Sequence, residues 1–83
     1  MENRIAAVSI LVEEPDSVEA LNALLHGYAS CILGRMGIPY REKGLNIICV
    51  ALDAPMDAIN ALTGKLGRLP GVSAKAVTPK SAK

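Results

Sequence analysis

The chain has 83 residues, with nine Lys and Arg against eight Asp and Glu, a formal net charge of +1, and 51% hydrophobic residues. This length predicts one domain, whose single core is close to the lower size limit for stability. Proteins that neutralise many phosphates carry a strong excess of basic residues, and this chain has no such excess. Only two residues are aromatic, both Tyr, which leaves no stacking platform for single strands. We therefore expect no direct nucleic-acid binding.

The amino-terminal segment carries one apolar run, RIAAVSILV at 4–12. This run is too short to span a bilayer, and the segment lacks a small-residue cleavage pattern. It predicts a β-strand rather than an anchor or a signal peptide. We expect a cytoplasmic protein with no membrane association.

The first helix is predicted to follow Pro15. Asp16 is its candidate N-cap, and Glu19 lies three residues later, as in a capping box. Apolar side chains then recur at helical spacing and are expected to face the core. This stripe consists of Val18, Leu21, Leu24, Leu25 and Tyr28.

The stretch CILGRMGIPYREKGLNIICVALD, from Cys31 to Asp53, predicts a β-hairpin. An extended run reaches about Ile38, the chain reverses between Pro39 and Gly44, and LNIICVALD forms the second strand. Cys31 and Cys49 fall in the two strand patterns. Because their spacing matches no redox motif, we expect them to act as small apolar side chains.

The second helix is predicted to begin near Asp53 and Pro55. Its apolar stripe consists of Met56, Ile59, Leu62, Leu66 and Leu69. Pro70 stops the helix, and Gly71 is expected to take an unusual backbone angle before the strand VSAKAV. Residues 1–78 are thus predicted to form one domain, and residues 79–83 a flexible carboxyl-terminal tail.

The two halves of the chain resemble each other. The segments ILVEEPDSVEALNAL and ICVALDAPMDAINAL align 38 residues apart, which indicates an internal duplication. Each half is a split βαβ unit. Two such units predict an α+β ferredoxin-like sandwich, β-α-β-β-α-β, with a four-stranded antiparallel sheet and both helices on one face.

Both faces of this sheet are predicted to be apolar. In the first strand one face presents Ala6, Val8, Ile10 and Val12, and the other presents Ile5, Ala7, Ser9 and Leu11. A sheet covered by helices on one side only should be polar on its open side. Since no sequence remains for a third layer, we expect another copy of the chain to cover it. Edge pairing, sheet stacking or both would give a dimer or a tetramer.

Two stretches, GRMGIPYRE at 34–42 and LTGKLGRLPGV at 62–72, resemble the iron-only hydrogenase system regulators, a family of small ACT-like proteins. The resemblance covers nearly the whole chain. It implies an ACT-like form of the ferredoxin-like fold and a regulatory role. The family is also similar to the carboxyl-terminal oligomerisation and sensing domain of nickel-responsive repressors.

Two features of those repressors are missing from this sequence. The residues before the first strand contain no ribbon-helix-helix, so direct operator binding is not expected. The sequence contains one histidine, His26, and two cysteines. A nickel or zinc site needs several N or S ligands. We expect no metal site and no cofactor.

Glycines and basic residues cluster in the predicted hairpin. They are Gly34, Arg35, Gly37, Arg41 and Lys43. Arginine offers a planar fork for a carboxylate or a phosphate, and glycine permits close backbone approach, so this cluster is a candidate ligand-binding site. The alternative is that the glycines only turn a hairpin, while the basic side chains are solvated or paired with Glu42.

Two other segments deserve a functional interpretation. TGKLGRLPG at 63–71 contains part of a phosphate loop, but the order is wrong and the segment closes a helix. ACT domains bind small ligands near the first strand-to-helix turn, which is here Val12 to Ser17. Its acidic residues would take an amine, or they only stabilise the start of the helix.

The sequence contains no Ser-His-Asp or Cys-His arrangement, so we expect no enzyme and no catalytic residues. The leading hypothesis is a non-catalytic, homo-oligomeric regulatory module that binds a small effector or a protein partner, linked to the iron-only hydrogenase system. The alternative is a purely protein-binding accessory factor of hydrogenase maturation, without a small-molecule ligand.

Overall fold

The computed structural model describes residues 2–80. Its strands are β1 (Asn3–Val12), β2 (Ile32–Tyr40), β3 (Leu45–Pro55) and β4 (Val72–Val77), and its helices are α1 (Val18–Gly27) and α2 (Met56–Gly67). The strands form one antiparallel sheet in the order β2-β3-β1-β4. The predicted α+β ferredoxin-like sandwich is confirmed. Of the predicted flexible tail, residues 81–83 lie outside the described residues.

The core lies between the two helices and one face of the sheet. Alternate residues of β1 and β3 are buried there, from Ala6 to Val12 and from Ile48 to Ala54. The helices contribute Leu21, Leu25, Ile59, Leu62 and Leu66, each at most 1% exposed. Val18 is half-buried against this cluster. The helical spacing of the apolar residues therefore predicted the inward faces of both helices correctly.

The start of α1 differs from the predicted capping box. Residues Pro15–Ser17 form a single 3-10 turn, and Ser17 occupies the N-cap of α1 without a side-chain cap bond. Ser17 Oγ instead donates to the carbonyl oxygen of Pro70 at 2.6 Å. The prediction of Asp16 as the cap is wrong, because this turn is tied to the far end of α2 rather than to its own helix.

Two glycines take left-handed backbone angles. Gly44, with φ 62°, closes the 3-10 turn Arg41–Lys43 between β2 and β3. Gly71, with φ 67°, precedes β4 and confirms the predicted angle. The carbonyl oxygen of Gly71 accepts from the Glu13 amide at 2.7 Å, which joins the loop after β1 to the loop after α2.

β2 is an edge strand that extends to Tyr40, two residues beyond the expected end of its extended run. Ile32 pairs with Leu52 and Gly34 with Ala51, so Leu33 forms a bulge. Beyond this bulge the strand alternates regularly. Gly34, Met36, Ile38 and Tyr40 face the open side of the sheet, and Arg35, Gly37 and Pro39 face the helix side.

The side of the sheet opposite the helices is exposed and mostly apolar, although Ser9, Asp53, Ser73 and Lys75 also lie on it, and we call it the open face. In residues 2–80 seven large hydrophobic side chains are exposed, and six of them lie on the open face: Ile5, Leu11, Met36, Ile38, Tyr40 and Val77. Val8 and Ile48 both lie on the other side, beneath the helices. The predicted apolar character of both sides of the sheet is confirmed.

Candidate functional site

The structure distributes the five predicted ligand-binding residues over three places. Gly34 lies on the open face, Arg35 and Gly37 lie on the helix side of β2, and Arg41 and Lys43 lie in the turn after β2. Residues 36–40 of the extended strand lie between Arg35 and Arg41, and at about 3.3 Å per residue this separation corresponds to about 20 Å between their Cα atoms. The structure therefore brings Arg35 and Gly37 to one place and Arg41 and Lys43 to another.

Arg35 and Gly37 line a groove of about 240 Å³ between α1 and the edge of the sheet. We call this the α1–β2 groove. Its walls and floor include Val18 and Asn22 of α1, Arg35, Gly37 and Pro39 of β2, and Asn46 of β3. Among the described residues that line it, Arg35 alone carries a charge. The sequence analysis did not single out Asn22 and Asn46.

Arg35 crosses from the sheet to α1. Its Nη2 donates to Asn22 Oδ1 at 3.1 Å. Both side chains are exposed, so this bond contributes little to stability. A guanidinium has five N–H donors, and the bond to Asn22 uses one of them. The side chain therefore reaches over to α1 and keeps its other donors for a ligand.

Two further hollows adjoin the α1–β2 groove. One, of about 320 Å³, is also lined by Asn22 and Arg35 and lies beside His26 and Ala29. The other, of about 230 Å³, shares Pro39 and Asn46 with the groove and reaches Arg41. The Arg35–Asn22 bond thus stands between two hollows, and the groove continues towards the turn after β2.

The cysteines and the histidine are not assembled into a metal centre. Cys31 and Cys49 are half-buried free thiols, the first in a 3-10 turn and the second on the open face of β3. His26 is exposed on α1. Within residues 2–80, no three His, Cys, Asp or Glu side chains form a group that would hold a metal ion.

The segment that contains part of a phosphate loop lies within α2 and at its end, as predicted. Thr63 Oγ1 donates to the carbonyl oxygen of Asn60 at 3.1 Å, within the helix. Lys65 Nζ lies 3.3 Å from the hydroxyl oxygen of Tyr28 and 5.5 Å from the centre of its ring. Thr63 and Lys65 therefore take part in contacts within the helix layer.

No helix in the described part of the chain is long and apolar enough to cross a membrane. This agrees with the short apolar run seen at the amino terminus of the sequence.

Among the solved structures that match this chain, two are of different weight. The structure of the uncharacterized protein TM1266 from Thermotoga maritima is 39% identical, covers 95% of this chain and 100% of its own, and superimposes with a TM-score of 0.91. The solution structure of the carboxyl-terminal domain of the MgtC protein from Mycobacterium tuberculosis is 15% identical, covers 98% of this chain and 93% of its own, and has a TM-score of 0.73. At that identity the second match shows the fold alone.

No curated protein matches the sequence. The profile of the TM1266-like family, described as "Iron-only hydrogenase system regulator, putative", matches residues 4–76, which is most of the chain. Together with the TM1266 structure, this match shows that the chain belongs to the TM1266-like family of iron-only hydrogenase system regulators.

Proposed function

We propose that the protein is a non-catalytic regulatory module of the iron-only hydrogenase system, which works as a homo-oligomer and binds a small anionic effector. Membership of the regulator family supports the regulatory role. The observation that carries the homo-oligomer is the apolar open face, where six large hydrophobic side chains are exposed on a single domain. Large exposed apolar patches mark interaction surfaces.

Basic residues on and beside β2 support an anionic effector. Arg35 is held over the α1–β2 groove by Asn22, and Arg41 lines the adjoining hollow. An Arg fork matches the geometry of a carboxylate or a phosphate. Lys43 lies in the same turn as Arg41 and adds positive charge there. Gly34 and Gly37 leave open space beside the backbone of β2.

The effector is tested by native mass spectrometry of the full chain, purified under non-denaturing conditions from cells that also make the hydrogenase maturation proteins. We expect a stoichiometric small molecule on an oligomer. The double variant Arg35→Ala, Arg41→Ala should lose this mass while its circular dichroism and oligomer size stay unchanged. If the oligomer dissociates instead, the arginines join subunits and the proposed role in binding is wrong.

The second candidate is a purely protein-binding accessory factor of hydrogenase maturation, without a small-molecule ligand. The edge strand β2 favours it, because residues 33–40 are all exposed and an edge strand is a template for pairing with another chain. The same spectra separate the candidates. An absent small-molecule mass together with a stoichiometric maturation protein supports the accessory factor and contradicts the effector.

A further inference from the structure

The internal duplication supplies a comparison of the two halves of the sheet. Val12 of β1 and Val50 of β3 occupy equivalent positions, 38 residues apart. Val50 pairs with Arg35 on β2, and Val12 pairs with Val72 on β4. Arg35 therefore occupies, in the first half, the position that the buried Val72 has in the second.

The neighbouring positions differ in the same sense. By the same register Gly37 corresponds to Ala74, Pro39 to Ala76, and Asn46 to Val8. The sheet beneath α2 thus presents apolar side chains at positions where the sheet beneath α1 has an arginine, a glycine, a proline and an amide. The α1–β2 groove lies at these positions.

Packing of the two helices follows the same difference. Many Cα atoms of α2 lie within 8 Å of Cα atoms of β4, whereas few Cα atoms of α1 lie that close to β2. Val72, Ala74 and Ala76 all join the core beneath α2. Arg35 and Gly37 are exposed beside α1. Since the second half closes this space, the fold itself does not require the groove.

We propose that the α1–β2 groove binds a small organic anion through Arg35, Asn22 and Asn46. The inference rests on the proposed function and gives its effector a site and a chemical class. Arg35 would pair with a carboxylate or a phosphate, and the two amides, each both a donor and an acceptor, would bind a neighbouring hydroxyl or amine. Asn22 thus holds Arg35 and faces the ligand as well.

The size of the groove limits the ligand. Its volume of about 240 Å³ equals that of about eight water molecules at about 30 Å³ each. Pockets for drug-sized ligands begin at about 300 Å³. The part of the ligand that lies in this groove is therefore a group of a few carbon atoms, such as a short hydroxy acid or a phosphate ester of similar size.

The test is an NMR titration of the ¹⁵N-labelled full chain, with inorganic phosphate in one series and lactate in another. We expect the side-chain amide signals of Asn22 and Asn46 and the backbone amide signal of Gly37 to shift. A response to phosphate only indicates a phosphate ester, a response to lactate only indicates a carboxylate, and either result supports the groove.

Two variants and a matched control sharpen this test. Gly37→Val fills the groove, and since an added Cβ there meets nothing within 4 Å, the fold should be kept. Gly37→Val and Arg35→Ala should each weaken the binding of the anion that shifts these signals by about tenfold or more. The control Arg68→Ala removes a cation from the exposed end of α2 and should leave binding unchanged.

Three results would overturn the site. Shifts confined to Arg41 and Lys43 would move the anion to the turn, and shifts at His26 and Ala29 would move it to the other hollow. Both results leave an anionic effector in place. No shift with either anion would remove the groove as an anion site. Conversely, a groove that binds anions in a chain that stays monomeric contradicts the proposed homo-oligomer and not the site.

Discussion

Among single residues, the two left-handed glycines differ in what surrounds them. An added Cβ at Gly44 meets nothing within 4 Å, whereas at Gly71 it lies 2.7 Å from Glu14 Cβ and 2.9 Å from the Glu14 amide nitrogen. Non-glycine residues in this region of backbone space cost about 1–2 kcal/mol. Gly44→Ala carries this cost alone, and Gly71→Ala adds a clash with the backbone of a neighbouring loop.

We expect Gly44→Ala to lower the free energy of unfolding by about 1 kcal/mol. Gly71→Ala should lower the free energy of unfolding by clearly more. The added methyl group forces Glu14 to move, and this displacement disturbs the adjacent hydrogen bond from the Glu13 amide to the Gly71 carbonyl oxygen. Urea denaturation followed by circular dichroism measures both. Equal losses for the two variants would show that the loop after β1 yields freely, which contradicts the tight contact at Gly71.

The buried leucines and isoleucines of the helices carry a second prediction. Leu21 and Ile59 occupy equivalent positions in the two halves, and both are 0% exposed. Replacing either by Ala removes buried methyl groups and leaves a cavity, at a cost of about 2–5 kcal/mol. Leu24→Ala is the matched control, because Leu24 is only half-buried and should lose less. The same urea titration decides, and a control that loses as much as Leu21→Ala would contradict the assigned helix face.

At the scale of the elements, α2 contains a glycine that its own packing does not explain. Gly64 is exposed in the helix, and an added Cβ meets nothing within 4 Å. Glycine inside a helix costs about 0.5–1 kcal/mol relative to alanine. We expect Gly64→Ala to raise the free energy of unfolding by about this amount, measured by urea denaturation. Gly67→Ala, at the last residue of α2, should gain less. A loss at Gly64 would mean that the surface of α2 is covered in the oligomer.

The elements also show what can be read from the sequence. Helical spacing correctly predicted the core positions of Leu21, Leu25, Ile59, Leu62 and Leu66. Apolar residues that recur with a period of 3.6 lie on one side of a helix, and that side is the buried one. The bulge at Leu33 could not be predicted from the sequence pattern. A strand shifted by one residue exchanges its two faces, so the bulge decides that Arg35 and not Met36 lies beside α1.

The candidate site was predictable only in part for the same reason. A cluster of basic residues and glycines in the sequence does not say whether the chain there is curled or extended. Because β2 is extended to Tyr40, Arg35 and Arg41 are far apart along it. The sequence did contain a signal for Asn46, because this polar residue aligns with the apolar Val8 in the duplicated strand.

For the molecule as a whole, the exposed surface is larger than expected for a compact monomer. The chain exposes 5396 Å², while a folded monomer of 8.7 kDa is expected to expose about 4700 Å². Four strands spaced about 4.8 Å apart, each with about seven paired residues, give the open face an area of roughly 450 Å². The largest apolar patch on ordinary monomers is about 300–600 Å² and is often functional. The whole open face falls in this range, and its apolar part is smaller because Ser9, Ser73 and Lys75 also lie on it. Its exposed apolar side chains make it the candidate interaction surface.

Self-association through this face is the last prediction. Leu11 and Ile47 are cross-strand partners near the centre of the open face. Burying two such faces against each other would stabilise the dimer by roughly 25 cal/mol per Å² of apolar area. This gain is of the same order as the cost of association, which is about 4–15 kcal/mol or more. We expect light scattering at micromolar concentration to show a dimer or a tetramer. Leu11→Lys and Ile47→Lys should each reduce its mass, because a charge would be buried at the interface.

The control for these variants is Ala23→Lys, on the exposed side of α1, which should leave the oligomer intact. The size that remains after Leu11→Lys identifies the geometry. A tetramer that becomes a dimer uses sheet stacking together with a second contact, for which the exposed edge of β2 is available, whereas a dimer that becomes a monomer uses stacking alone. A wild-type chain that scatters as a stable 8.7 kDa species contradicts self-association. The open face would then be free for a different protein, as the accessory-factor candidate requires.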